Sequence, residues 1–503
     1  MSSLFYYSLL SLSFIITIKI LLKITSRRLK NLPPGPPTIP IIGNLHHLKH
    51  PLHRTFTTLS QTYGDIFSLW FGSRLVVVVS SPSLAHECFT KNDIILANRP
   101  RFLTGKYIFY NYTTLGSASY GDHWRNLRRI TTIDVLSNNR LNSFLGVRRD
   151  ETNRLIQKLL KDVVSEGFGF TKVELRPRLT EMTFNAMMRM ISGKRYYGDD
   201  GDVSDVEEAK QFREIISEMM SLLGANNKGD FLPLLRLFDL DNLEKRCKRI
   251  AKRSNAFLEG LIEEHRRGNI HSDGGTMIDH LLKLSESQPE YYSDHLIKGL
   301  IQGMLLAGTD TSAVTIEWVM SELLNHPEVL KKAKEELDTQ IGKNKLVDEQ
   351  DLSKLPYLQN IISETLRLHP PAPLLLPHYS SEDCTIGEFN VPKDTIILTN
   401  VWGIHRDPKH WNDALSFKPE RFEKEEEVNK VMAFGLGRRA CPGLSLAQRT
   451  VGFTVGLLIQ CFEWERESEE KLDMMEGKGI TMPMKIPLRA MCKALPIAND
   501  VTK

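Results

Sequence analysis

The sequence has little net charge to offer a partner: 65 Lys and Arg stand against 61 Asp and Glu, a formal balance of +4, with the two signs interspersed. A nucleic-acid footprint needs a basic patch or stripe, so this balance argues against nucleic acid as a partner. Cysteine is scarce as well. Cys88, Cys247, Cys384, Cys441, Cys461 and Cys492 are spread over 503 positions without a CxxC pair, which excludes a disulfide scaffold and points to free thiols in a reducing compartment. Nothing after residue 50 has the Gly/Ser-rich, Pro-rich or charge-block character of a linker, so residues 51–503 read as one continuous body. There is no internal repeat, and no glycine-rich motif of the kind that binds flavin or dinucleotide.

What is present begins at the N-terminus. Residues 4–18 (LFYYSLLSLSFIITI) are uncharged and mostly apolar, and the run resumes after Lys19 through Ile20, Leu21, Leu22 and Ile24. A membrane span needs about 20 such residues, and a lysine near its end can reach the interface while its methylenes stay in lipid. Lys23, Arg27, Arg28 and Lys30 follow, and the positive-inside tendency then holds the rest of the chain on the cytosolic side. A cleaved secretory signal is the alternative, but no small-x-small site follows the run and the basic residues lie behind it. The expected organisation is a single-pass anchor over 1–24, a basic stop-transfer and Pro-rich hinge over 25–50, and a cytosolic body. Within the hinge, NLPPGPP (31–37) cannot continue a helix and reads as a stiff spacer that aims the body. On the cytosolic side the sequon at Asn111 stays unglycosylated.

In the body, Ile66 to Phe71 and Leu75 to Ser80 read as strands around the turn Gly72-Ser73, and a second strand-rich patch lies between Cys384 and Asn400. Apolar residues at three- and four-residue intervals predict helices over 150–165, 205–224, 244–266, 295–326 and 327–341. The fold class is therefore mainly α with a small β portion. The acidic run Glu423 to Glu427 reads as a solvated loop.

The stretch Phe434 to Gly443 (FGLGRRACPG) is the most informative. Its glycines let the backbone bend closely around whatever Cys441 touches. Pro442 and Gly443 lead into LSLAQRTVGFTVGLLIQ, a helix, so Cys441 sits at a helix N-terminus, where the dipole favours an anion and lowers a thiol's pKa. A thiolate with arginines beside it and no second cysteine or histidine nearby suits haem iron better than a four-ligand zinc site. A buried inert cysteine is the bland reading, and the surrounding ten residues weigh against it.

This segment resembles the haem-binding loop of the cytochrome P450 family, with Phe434, Gly437, Arg439, Cys441 and Gly443 at its signature positions. The resemblance implies a P450 fold with haem b between a long central helix and the cysteine loop, Cys441 as axial ligand to iron, and Arg439 against a haem propionate. Three further motifs occur in order. Ala307 to Ser312 (AGTDTS) interrupts an apolar helix with polar groups; Gly308 alone costs about 1 kcal/mol against alanine, and threonine hydroxyls divert backbone bonds. An opened turn there would make room for oxygen and water, with Thr311 donating toward oxygen and Asp310 relaying protons. A close helix crossing at small residues is the alternative. Glu364 and Arg367 pair at i and i+3, and with Arg421 in PERF (419–422) the resemblance implies a buried structural network. Trp124 and Arg128 share a helix face and resemble the family's propionate clamp, which His378 also joins by resemblance.

The resemblance further implies an oxidoreductase, a monooxygenase using O2 and NADPH electrons from a separate reductase, since the chain has no electron-carrier motif of its own. It implies residence in the endoplasmic reticulum membrane. NLPPGPP, FGLGRRACPG and LRLHPPAPLLLPHYSSEDC together resemble plant isoflavone 2′- and 3′-hydroxylases, which makes a small aromatic substrate, hydroxylated on the B-ring of an isoflavone, the expectation. Another flavonoid, a lignan or an indole-type molecule is the alternative within monooxygenases; a haem-thiolate isomerase or dehydratase and a non-catalytic haem carrier are the alternatives outside them. The expected pocket walls are 99–123, 214–225, Ala307 and Gly308, Leu374 to Leu376, and Ile480 with Thr481.

Overall fold

The computed structural model describes residues 6–8, 11–14, 16, 30–167, 169–198, 201–203, 205–224, 227–232, 235, 239, 242–268 and 275–502. Most of the expected anchor, Lys19 and Lys23 among it, lies outside the described residues, as do Arg27 and Arg28 of the stop-transfer segment and Ala225 at the end of one expected pocket wall. Among the described residues no helix is long and apolar enough to cross a membrane.

The Pro-rich strip 31–37 does not stand free as a spacer. The Ser68 N–H donates to the Pro34 carbonyl at 2.8 Å and the Ser68 hydroxyl to Pro33 at 2.7 Å. A Cβ on Gly35 would stand 2.1 Å from the Ser68 carbonyl oxygen, so glycine is what lets the strip lie against its strand.

The strands are β1 (Ile66–Phe71), β2 (Arg74–Val79), β3 (Thr171–Glu174), β4 (His378–Tyr379), β5 (Cys384–Ile386), β6 (Phe389–Val391), β7 (Ile396–Thr399), β8 (Phe462–Glu465) and β9 (Arg489–Ala494). They form sheets β1-β2-β7-β4, β3-β9-β8 and β5-β6. The hairpin turns at Gly72, φ +58°, and Ile66 faces Val79 across it. Residues 75–79 of β2 are all buried, because the second edge of β2 pairs in parallel with β7, Val76 against Ile396.

The first helices are α1 (Leu52–Tyr63), α2 (Pro82–Phe89), α3 (Asp122–Arg129), α4 (Leu145–Ser165) and α5 (Leu175–Ser192). Then come α6 (Val206–Leu223), α7 (Leu243–Arg266) and α8 (Met277–Ser287). The last are α9 (Asp294–Gly308), α10 (Asp310–Asn325), α11 (Pro327–Gln340), α12 (Pro356–Leu368) and α13 (Leu444–Cys461). The helix expected over 295–326 is thus two, interrupted at Thr309 (φ −85°, ψ −69°). Every residue from Ser312 to Asn325 is buried, so α10 is the central core helix, enclosed on all sides. The acidic run corrects one expectation: Glu425–Val428 is a short, largely exposed helix rather than a loop. Three consecutive glutamates place negative charge in its first turn, where the helix dipole stabilises it.

Candidate haem site

Local sequence shapes the cysteine loop. Gly435 (φ +69°) and Gly437 (φ +65°) take left-handed conformations, and the Cys441 N–H closes the loop on the Phe434 carbonyl at 2.8 Å. A Cβ on Gly437 would come within 2.6 Å of the Phe89 carbonyl oxygen, so the loop lies directly on the end of α2. Asp93 accepts from the Arg438 N–H (3.2 Å) and pairs with its guanidinium (3.3 Å). Gly443 caps α13, and its N–H reaches the Cys441 sulfur.

Cys441 is open to solvent at its surface, yet enough protein surrounds it that burial pushes its thiol up from the ordinary value, opposed by the Gly443 N–H and the Arg128 guanidinium. Coordination to a metal removes the proton from a cysteine ligand.

A cationic cluster lies beside the loop. Arg439 donates to the carbonyls of Ala97 (2.7 Å) and Leu115 (3.0 Å), and its guanidinium rests on the Trp124 ring at 4.4 Å. Arg128 donates to Ala440 (2.6 Å). Arg99, fully enclosed, donates to Gly116 (3.2 Å), Leu376 (3.1 Å) and Pro377 (2.7 Å). Burial first, then repulsion from Arg99 and Arg128, holds Arg439 far below the usual arginine range; burial alone lowers Arg99. His378 is buried, gives its Nδ1–H to the Leu96 carbonyl (2.9 Å), and is held well below the usual imidazole value by burial and by Arg99 and Arg439. Its Nε2 is left to donate only when an anion supplies the charge. Trp124 gives its indole N–H to the Leu115 carbonyl (3.2 Å) and lays its ring face against the Arg439 guanidinium.

Across the core, Thr311 gives its hydroxyl proton to the Ala307 carbonyl (2.6 Å), and Thr309 does the same to Leu305 (2.9 Å), where the helix breaks. Ala307 is exposed although Leu305, Leu306 and Thr309 around it are buried. A Cβ on Gly308 would meet the Met187 sulfur at 2.9 Å, so the close helix crossing is present together with the polar break. Asp310 opens α10 and accepts from the Thr481 hydroxyl. Leu376 and Ile480 are exposed; Leu374, Gly308 and Thr481 are partly so.

Behind the loop, Arg367 donates to both oxygens of Glu364 (2.7 and 2.8 Å), Arg421 Nε reaches the same carboxylate (2.9 Å), and the Lys418 N–H adds a further bond (2.9 Å). The two α12 partners have no exposed side-chain surface. Arg367 also donates to the carbonyls of His405 (2.6 Å) and Ala414 (2.7 Å), so every charge in this network has partners.

The family profile described as Cytochrome P450 matches residues 33–489. The chain belongs to the cytochrome P450 family. This P450 is 99% identical over 501 residues to a protein of Medicago truncatula named isoflavone 3′-hydroxylase, with 100% of each chain covered. It is 62% identical to an isoflavone 2′-hydroxylase of Glycyrrhiza echinata, covering 100% of this chain and 99% of the relative. A solved zebra fish cytochrome P450 with progesterone matches with TM-score 0.75 and 25% identity, over 89% of this chain and 100% of that one.

The P450 is a monooxygenase, an oxidoreductase with haem b that receives NADPH electrons from a reductase. The residues present fit the group. Arg99, Arg128 and Arg439 are crowded cations for which Asp93 is the one carboxylate acting on Arg439 among the described residues, and two carboxylates are what such a cluster lacks. A sulfur ligand stands beside it. Two members escaped the sequence reading. Arg99 has carbonyl partners from residues 116, 376 and 377, and no local pattern marks it. His405, described below, links the buried network to the cysteine loop.

Proposed function

We propose that this P450 hydroxylates the B-ring of an isoflavone at the 3′ position. The observation that carries the reading is its near-identity, end to end, with the Medicago protein of that name. Haem, when bound, supplies reductive activation of O2, and a thiolate ligand favours O–O cleavage. The chain's own residues do the rest. Cys441 provides the sulfur ligand, while Arg99, Arg128, Arg439 and His378 hold the propionates and Phe434, Gly437 and Gly443 shape the loop. Thr311 positions a hydroxyl at the helix break and Asp310, beside it, relays protons. Leu374, Leu376, Ala307, Gly308, Ile480 and Thr481 form the wall that orients a flat phenolic ring. Glu364, Arg367 and Arg421 keep the loop's support rigid. Residues 1–24 anchor the enzyme in the endoplasmic reticulum membrane through the hinge at 25–50, with 51–503 in the cytosol.

Microsomes containing the enzyme and reductase, fed isoflavones, flavones and lignans, test this by mass and NMR of the products. The 3′-hydroxy isoflavone, formed only with NADPH, is the expected result. A 2′ product alone reassigns the ring position, and turnover of lignans but no isoflavone overturns the substrate. Cys441→Ser is expected to lose the ferrous carbonyl spectrum of a thiolate haem.

A further inference from the structure

Asp310 and Thr481 are 171 residues apart in sequence, yet the Thr481 hydroxyl donates to the Asp310 carboxylate. The backbone around Thr481 leaves it little freedom. A Cβ on Gly479 would stand 3.0 Å from the Thr481 carbonyl oxygen, so the turn closes tightly just before it. The Met482 N–H donates to Pro371 (3.0 Å), and the Met482 carbonyl accepts from the buried Trp318 indole of α10 (2.8 Å). On the other side, a Cβ on Gly224, which follows α6, would stand 3.2 Å from the Ile480 nitrogen. The turn is thus wedged between the end of α6 and the core helix that Asp310 opens.

The other charged groups on this face are already engaged. Glu317, two turns along α10 from Asp310, accepts from Arg176 Nε at 3.0 Å and from the Leu488 N–H at 2.9 Å. Arg176 Nη2 also donates to the Met484 carbonyl (2.7 Å). The bond that fixes the direction of the Asp310 carboxylate is therefore the one from Thr481.

We propose that Thr481 is a positioning residue for proton delivery: its hydroxyl holds the Asp310 carboxylate on the turn that also carries Ile480 to the substrate wall. Seating of substrate against that turn and supply of protons then depend on the same few residues. The inference rests on the role given above to Asp310 and Thr311. A carboxylate without this donor swings to other partners or to water and reaches Thr311 less often, so reducing equivalents leave as hydrogen peroxide (NADPH, a proton and O2 giving NADP+ and H2O2) instead of product.

The test uses the haem-loaded enzyme with reductase and compares Thr481→Val, which keeps the branched shape but removes the donor, with Thr481→Ser, which keeps the donor. Asp310→Asn and the double variant complete the cycle. Thr481→Val is expected to lower product formed per NADPH about tenfold, the weight of one hydrogen bond to a charged group, and Thr481→Ser to restore most of it. The double variant should be no worse than Asp310→Asn alone, since the hydroxyl acts through the acid. Independently of turnover, the infrared C–O stretch of the ferrous carbonyl, which senses nearby polar groups, should broaden or split in Thr481→Val and stay single in Thr481→Ser. If Thr481→Val does not hold haem, Thr481→Ala takes its place under the same criteria. Full coupling without the hydroxyl, while Asp310→Asn is uncoupled, overturns the positioning role alone. Full coupling in Asp310→Asn overturns the proton-relay reading and this inference with it.

Discussion

His405 joins Arg367 to the cysteine loop. Its Nδ1–H donates to the Arg367 carbonyl (3.0 Å), Arg367 donates back to the His405 carbonyl (2.6 Å), and the Met432 N–H, two residues before Phe434, donates to His405 Nε2 (2.9 Å). This pattern requires the neutral tautomer protonated at Nδ1. Burial, with Arg367 and Arg406 adding repulsion, pushes His405 down to about 3. The folded state therefore refuses a proton that the unfolded chain accepts near pH 6.5. Stability should be unaffected by this group above that pH and fall as pH drops from about 6.5 toward 3, by about 1.4 kcal/mol per pH unit. His378 and His369, also held low by burial, act with the same sign. In His405→Gln the slope should be shallower by one proton, and stability at neutral pH lower by about 1–3 kcal/mol. Chemical denaturation midpoints measured across this range check both; an unchanged acid slope removes the assignment.

Glu364 carries two arginines, and its removal should be costly. Glu364→Gln leaves Arg367, which has no exposed surface, and Arg421 without their countercharge. Breaking a buried pair from one side costs about 3–5 kcal/mol, a large part of the stability of an ordinary domain. The expected outcome is little haem-loaded protein, with apoprotein that unfolds at lower denaturant. Equal haem content in variant and parent, measured from the ferrous carbonyl spectrum against total protein, would falsify a structural role for the network.

The features legible in the sequence were those whose physics is local. Glycines at 435 and 437 announced a loop that needs left-handed backbone, and Gly308 with the flanking threonines announced an interrupted helix. The Val-rich β2 showed itself by its composition. What stayed hidden depends on distant partners. β3 has no strong pattern of its own and exists because Thr171 pairs with Cys492. α5 is buried on nearly every side, so its apolar residues lack a one-face rhythm, and it was missed. Arg99 looked like any loop arginine until residues 116, 376 and 377 surrounded it. The direction of the Trp124 indole and the desolvation of Cys441 are likewise set by the assembled fold.

Thr311 can be separated from the scaffold by mutation. Its hydroxyl proton is held by the Ala307 carbonyl one turn back, so Thr311→Ala removes a side-chain bond without touching the core packing of α10. Haem content and stability should stay near those of the parent. Product formed per NADPH should drop by about tenfold or more, with hydrogen peroxide in its place, because proton delivery at the break is lost. NADPH consumption, peroxide and product measured in one reaction decide it; full coupling in Thr311→Ala counts against the assigned proton path.

The last prediction concerns where the reductase docks. Arg125 and Arg129 are exposed on α3, while Arg128 between them turns inward to Ala440. Arg125 pairs with Asp122 and lies over the Tyr120 ring at 5.5 Å; Arg129 is 3.7 Å from Asp134. Because these acids neutralise part of the field, reversing both arginines to glutamate converts a mildly basic patch into a strongly acidic one. An acidic partner surface should then associate more slowly, and the reductase concentration giving half-maximal turnover should rise roughly tenfold at low salt. The difference should shrink as salt is added, since charges are screened beyond about 8 Å at physiological ionic strength. Haem content should not change, as neither side chain reaches the cluster around Arg439. Reductase titrations at two salt concentrations make the comparison, and identical curves for variant and parent at low salt place the docking surface elsewhere.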